Sequence, residues 1–230
     1  MRIDTVDFFY LSMPEVLDIA DGSQDLLLVR LEAGGEVGWG ECEASPLTSI
    51  ASWVAPMSHG ACKPVRDSVV GQRLDGVDDI RRIGDLVRAN SLDLLQADHT
   101  LSGIDMAMWD LLGKRLGEPV WRLLGFERAF PKRPYASQLF GDTPEETFAR
   151  ARQTAAEGYT AAKFGWGPFG RDADLDVALV RAAREAAGDE IDLMFDIGMC
   201  WPNADHAIRQ VRRFEEYRPY WVEEPLWPDE

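Results

Sequence analysis

Cysteine is scarce in this sequence, cations are outnumbered, and long apolar runs are missing. Cys42, Cys62 and Cys200 are the only three, lie far apart, and none belongs to a Cys-x-x-Cys pair. Such spacing excludes a disulfide framework and a cysteine-based zinc site, and it fits a reducing compartment. His59, His99 and His206 share no metal-ligand spacing either. Lys and Arg number 24 against 40 Asp and Glu, a formal net charge of −16. Nucleic acid and membrane are thereby excluded as expected partners, because phosphate binding needs cation clusters that do not occur here. The same acidic field repels small anionic substrates unless a metal or local cations offset it. No apolar run reaches the roughly 18 residues of a membrane span. The opening Met1-Arg2-Ile3-Asp4-Thr5-Val6-Asp7 has no apolar signal core, so a cytoplasmic location is expected. Gly165-Trp166-Gly167-Pro168-Phe169-Gly170 lacks the spacing of a dinucleotide or phosphate loop.

What is present reads as a globular chain of 230 residues, 46% hydrophobic and 28% charged. Two rhythms divide it. In the opening part, Asp4 to Tyr10 and Asp25 to Glu32 are strand-like. Ala33-Gly34-Gly35 is a turn that returns Glu36-Val37-Gly38-Trp39-Gly40-Glu41-Cys42 as a hairpin partner. Ser12 to Gln24 and Ala44 to Ser49 read as loops. Ile50 to Leu124 is mostly helical and ends on Ser102 to Leu112, with Ile104, Met108 and Leu111 on one face. Strands followed by helices predict an α+β domain over residues 1–128.

From residue 129 onward strand and helix alternate. Strands are predicted at Arg133 to Leu139, Tyr159 to Phe164, Ile191 to Asp196 and Tyr220 to Glu223. Helices are predicted from Thr143 to Glu157, Asp172 to Ala187 and Asn203 to Glu216. Steps of roughly 30 residues match βα units on a parallel sheet. Four strands are half of an eight-stranded barrel of about 250 residues, so 129–230 reads as a partial (β/α) barrel domain.

Two of those strands end in acids 27 residues apart: Leu193-Met194-Phe195-Asp196 and Tyr220-Trp221-Val222-Glu223. In a parallel barrel, side chains at the C-terminal strand ends converge. Two carboxylates brought together repel unless a cation lies between them. Hard oxygen ligands in low number suit Mg²⁺, with Asp196 and Glu223 as the candidate ligands. Glu224 follows Glu223 and points the other way along a strand, which makes it a candidate supporting group. Asp105 and Asp110 read as structural, as do the three histidines.

Several segments together resemble the enolase superfamily, in its mandelate racemase and muconate lactonizing enzyme branch. Ser102-Gly103-Ile104-Asp105-Met106-Ala107-Met108-Trp109-Asp110-Leu111-Leu112-Gly113-Lys114, continuing to Gly125, looks like the helix and turn that end the family's capping domain. Gly38-Trp39-Gly40-Glu41 is similar to its Gly-x-Gly-Glu strand. Asp196, and Glu223 within Trp221-Val222-Glu223-Glu224-Pro225, match its first two metal ligands in type, order and spacing. The resemblance implies an α+β capping domain on a modified (β/α)7β TIM-type barrel, of which about the first four strands are present. It also implies one Mg²⁺ and abstraction of a proton α to a carboxylate with enediolate stabilisation. Such a proton is too weakly acidic for an ordinary base unless a Lewis acid takes up the developing charge. A small carboxylate substrate, a hydroxy acid or acid sugar, is the expected partner, with a homo-oligomer as the expected assembly.

Where the family commonly has Lys-x-Lys, this chain has Lys163-Phe164-Gly165. Lys163 is the candidate catalytic and substrate-binding residue, with Trp166 beside it as a pocket wall, but the usual base position is a glycine. Gly198 stands where the family often has Asn, removing a partner of Asp196. A racemase working on both faces needs two bases, so a one-base dehydration is favoured over racemisation, epimerisation or cycloisomerisation. The base and third metal ligand are expected from later strands, outside these residues. A non-catalytic, truncated chain is the rival reading from another class, and a sugar-acid binding protein a weaker one.

Overall fold

The computed structural model describes residues 1–18, 23–42 and 45–229. Two compact units divide at Phe130/Pro131, two residues beyond the boundary expected from the change in strand and helix rhythm. Phe126 packs edge-on against Phe130, and Arg128 lies over the Phe130 ring, so the last residues of the first unit fold onto one another.

The first unit opens with three antiparallel strands in the order β1 (Ile3–Leu11), β2 (Leu26–Ala33), β3 (Glu36–Cys42). Leu27, Val29, Leu31 and Ala33 alternate inward along β2 and are fully buried. Five helices follow: α1 (Pro46–Val54), α2 (Val65–Val69), α3 (Val77–Asn90), α4 (Ala97–Leu116) and α5 (Val120–Leu123). Within the two expected loops, residues 19–22 and Ala44 lie outside the described residues. Pro46 to Ser49 is not loop: Pro46 opens α1, its ring fixing the backbone angle that a first helical residue needs. Likewise α4 outruns the expected Ser102–Leu112 at both ends. Ala97, Thr100 and Leu101 extend its buried stripe backwards, and it stops at Gly117, whose φ is +65°.

The glycines of the hairpin set how close α4 comes. A β-carbon on Gly38 would lie 2.0 Å from the Ala107 carbonyl oxygen, and one on Gly40 1.9 Å from that of Gly103. The sheet therefore packs backbone to backbone against the helix, which only glycine permits. Asp110 secures the same junction, accepting the Trp39 main-chain N–H at 2.8 Å and the Lys114 ammonium at 2.6 Å. Its role is structural, as expected.

The second unit is a parallel sheet in the order β4 (Ala136–Leu139), β5 (Ala161–Gly165), β6 (Asp192–Asp196), β7 (Trp221–Glu223). Helices α6 (Pro144–Ala156), α7 (Ala173–Ala187) and α8 (Ala204–Phe214) connect them, α8 closing in a 3₁₀ turn at Glu215–Tyr217. Each helix has an N-cap readable in the sequence: Thr143, Asp172 and Asn203 accept main-chain N–H groups of their own first turns. β4 begins at Ala136 rather than Arg133; Pro134 has no N–H to offer a ladder.

Register sorts the sheet into two faces. Ala162, Phe164, Leu193 and Phe195 bury themselves beneath the helices, among Phe140, Phe169, Trp201 and Phe214. Lys163, Gly165, Met194, Asp196, Trp221 and Glu223 share the opposite face. This is the α+β domain and partial α/β barrel that the sequence pattern predicts. No helix among the described residues is long and apolar enough to cross a membrane.

Candidate functional site

Gly165, Asp196 and Glu223 stand in one row across β5, β6 and β7, each at the C-terminal end of its strand. Lys163 is two residues back on the same face and reaches forward to them. Its Nζ lies 3.1 Å from Asp196 Oδ2 and 2.8 Å from Glu223 Oε1. The side chains of Lys163 and Asp196 are 15% and 9% exposed, and that of Glu223 is 34% exposed. Thus the three residues singled out from sequence meet at one point.

The other carboxylate oxygens are also engaged. Asp196 Oδ1 accepts the Gly198 main-chain N–H at 3.1 Å. Glu223 Oε2 accepts the Trp221 indole N–H at 3.0 Å. Neither donor is among the residues expected at the site. By side chain alone Gly198 is the loss of a partner for Asp196, yet its main chain supplies one. Trp221 is legible in principle, since residues i and i+2 of a strand share a face.

Electrostatics follow from this geometry. Burial pulls the Lys163 ammonium down, but its hydrogen bonds to Glu223 and Asp196 win and hold it above the ordinary lysine value. Burial pushes the Glu223 carboxyl up, while Lys163 and Trp221 hold it below the usual carboxylate range. Both groups are therefore charged at neutral pH.

Backbone strain collects around the same ends. Trp166, Met199 and Glu224 are left-handed, with φ of 57°, 59° and 46°, in the segments that follow β5, β6 and β7. A non-glycine residue held this way costs on the order of 1 kcal/mol or more and persists where its surroundings impose it, commonly at functional sites. The Trp166 ring lies against Gly198; a β-carbon there would come within 3.1 Å of the indole. Glu224 is exposed, and its carbonyl accepts the Met199 N–H at 2.7 Å. Its carboxylate makes no hydrogen bond to Lys163, Asp196 or Glu223.

Gly165 explains why no base follows Lys163 on β5. A β-carbon there would lie 2.7 Å from Asp196 Cβ and 2.9 Å from the Asp196 carbonyl oxygen. Among the described residues no group of three or more His, Cys, Asp and Glu is placed to hold a metal. Two carboxylates around one cation are what the site provides, and that donor set fits a hard divalent ion that keeps several waters.

An α+β unit followed by a parallel β/α sheet, with acids delivered by successive strand ends, defines the class of protein. Residues 14–125 match the model of the mandelate racemase/muconate lactonizing enzyme N-terminal domain. Residues 146–230 match that of the enolase C-terminal domain-like family. The chain belongs to the mandelate racemase/muconate lactonizing enzyme branch of the enolase superfamily. A predicted mandelate racemase from Rhodobacter sphaeroides superposes with a TM-score of 0.91 at 57% identity, over 98% of this chain and 58% of that one. A racemase from Streptomyces coelicolor A3(2) with bound magnesium superposes at 0.77 and 25% identity, over 99% of this chain and 64% of that one. D-gluconate dehydratase of Thermoproteus tenax is 39% identical over 139 residues, 55% of this chain and 27% of that protein. Further curated relatives are named as dehydratases of sugar acids, a racemase and a cycloisomerase. The chain thus spans between about a quarter and two thirds of the length of these proteins.

Proposed function

We propose that this chain supplies the first two metal ligands and the substrate-carboxylate cation of a Mg²⁺-dependent acid-sugar dehydratase. The observation that carries the reading is the convergence of Asp196, Glu223 and Lys163 at adjacent parallel strand ends. Asp196 and Glu223 are the metal ligands, and each is oriented through its second oxygen, by Gly198 and by Trp221. Mg²⁺, when bound, supplies the positive charge that an α-carbanion of a carboxylate requires. Lys163 adds a second cation for the substrate carboxylate and offsets the acidic field of the chain. Trp166, pinned beside Gly198, walls the substrate position. Glu224 supports the centre through its main chain rather than its carboxylate.

A glycine at position 165 favours one-base chemistry. Dehydration of a 2,3-dihydroxy acid needs one base for the α-proton and an acid for the departing hydroxyl, whereas racemisation needs a base on each face. The names of the sugar-acid dehydratases among the relatives support the same choice. The test is to incubate the full protein with Mg²⁺ and D-gluconate or D-galactonate in D₂O. A 2-keto-3-deoxy acid product is expected. Exchange of the α-proton without loss of water would replace dehydration by racemase or epimerase chemistry.

A further inference from the structure

Lys163 occupies the point where the two proposed metal ligands converge, and the role assigned to it below rests on that reading of Asp196 and Glu223. Each carboxylate has one oxygen turned away, Asp196 Oδ1 to the Gly198 N–H and Glu223 Oε2 to the Trp221 indole. The oxygens that remain, Oδ2 and Oε1, both face the Lys163 ammonium, at 3.1 and 2.8 Å. A divalent ion held by Asp196 and Glu223 would compete with the Lys163 ammonium for the same two carboxylates. We propose that Lys163 is the resident cation of the metal-free site: it holds the two carboxylates together, competes with the divalent ion for them, and is displaced when the ion binds.

Charge and enclosure support this. At their formal charges Asp196, Glu223 and Lys163 sum to −1, so a divalent ion would meet a pair of carboxylates whose charge the ammonium already half offsets. Without the ammonium, the largely buried Asp196 carboxylate and that of Glu223 would face each other as like charges, an arrangement that is costly when unpaired. The Lys163 side chain is largely enclosed and donates to no other group among the described residues. Displacement therefore leaves the ammonium beside its former partners, at hand for a substrate carboxylate. The expected consequence is that the lysine weakens metal binding while stabilising the metal-free fold. That trade distinguishes it from a plain structural ion pair.

The test is calorimetric titration of the protein with MgCl₂ and with MnCl₂, on wild type, Lys163→Met, Lys163→Arg and Asp196→Asn. Lys163→Met is expected to bind either ion about tenfold or more tightly than wild type, because a like charge has gone. Lys163→Arg keeps the charge and gains nothing, and Asp196→Asn loses binding. Metal-free Lys163→Met melts below wild type, and the gap closes in saturating Mg²⁺. Lys163→Gln replaces it in the comparison if the methionine variant does not fold. Affinity within about twofold of wild type, with Asp196→Asn still defective, overturns the resident cation and leaves the metal assignment standing. Binding by neither wild type nor the neutral variants overturns both.

Discussion

A β-carbon on Gly165 would press against Asp196 at 2.7 Å, with the Asp196 carbonyl oxygen at 2.9 Å. Both obstacles belong to the neighbouring strand rather than to a flexible side-chain tip, so the strand has to move. Gly165→Ala is expected to cost about 1–3 kcal/mol, the usual range for overpacking, read as a lower midpoint in urea unfolding. Gly165→Lys, which restores the family's common Lys-x-Lys pattern, is expected to reduce Mg²⁺ binding by displacing Asp196 rather than to install a base. Undiminished Mg²⁺ binding by that variant in calorimetry would refute the displacement. At this scale the absence of a second lysine is a packing fact as well as a chemical one.

Loops after the strands are fastened by their own elements. Asp176, on α7 and 1% exposed, accepts the Gly170 N–H at 2.8 Å and so ties the segment that carries Trp166 to its helix. Burial raises the Asp176 carboxyl above its ordinary value, against the lowering effect of that hydrogen bond. The folded protein therefore holds this proton more tightly than the unfolded chain. The contribution to stability is full below the ordinary carboxylate range and is lost as pH rises through the raised folded value. Asp176→Asn keeps the acceptor and removes the titration. Urea unfolding of the variant relative to wild type is expected to show a gain that is larger at pH 7.5 than at pH 4.5. An equal difference at both values would contradict the effect of burial. Helix α6 offers a second test, since Thr143 Oγ1 accepts the Glu146 N–H. Thr143→Ala is expected to cost about 1 kcal/mol, with Thr143→Ser close to wild type.

On the scale of the whole molecule, each unit has a core of its own, one built on β2 and α4, the other on the phenylalanines beneath the parallel sheet. Residues 1–130 expressed alone are expected to unfold cooperatively in urea, and a non-cooperative transition would argue against an independent core. Residues 131–230 should behave differently. β4 and β7 are the edges of the sheet among the described residues, and Trp221 in β7 is exposed, as are Tyr220 and Trp227 beside it. Unpaired edges with apolar neighbours invite association. This fragment is expected to grow in apparent size with concentration by light scattering, where a concentration-independent monomer would refute association through the edges.

Much of this was legible residue by residue. The alternation of Leu27, Val29 and Leu31, the caps at Thr143, Asp172 and Asn203, and the 27-residue interval from Asp196 to Glu223 are local patterns. They need only the periods of strand and helix to be read. Hence the sequence by itself determined the order of elements, the two kinds of unit and which carboxylates end adjacent strands. Tertiary structure decided the rest. That the Lys163 ammonium lies between those carboxylates, that Trp221 and the Gly198 main chain take their second oxygens, and that Gly165 has no room for a side chain all depend on distances across strands. Such distances are set when separate strands pack, by register and local backbone angles that no short window of sequence contains.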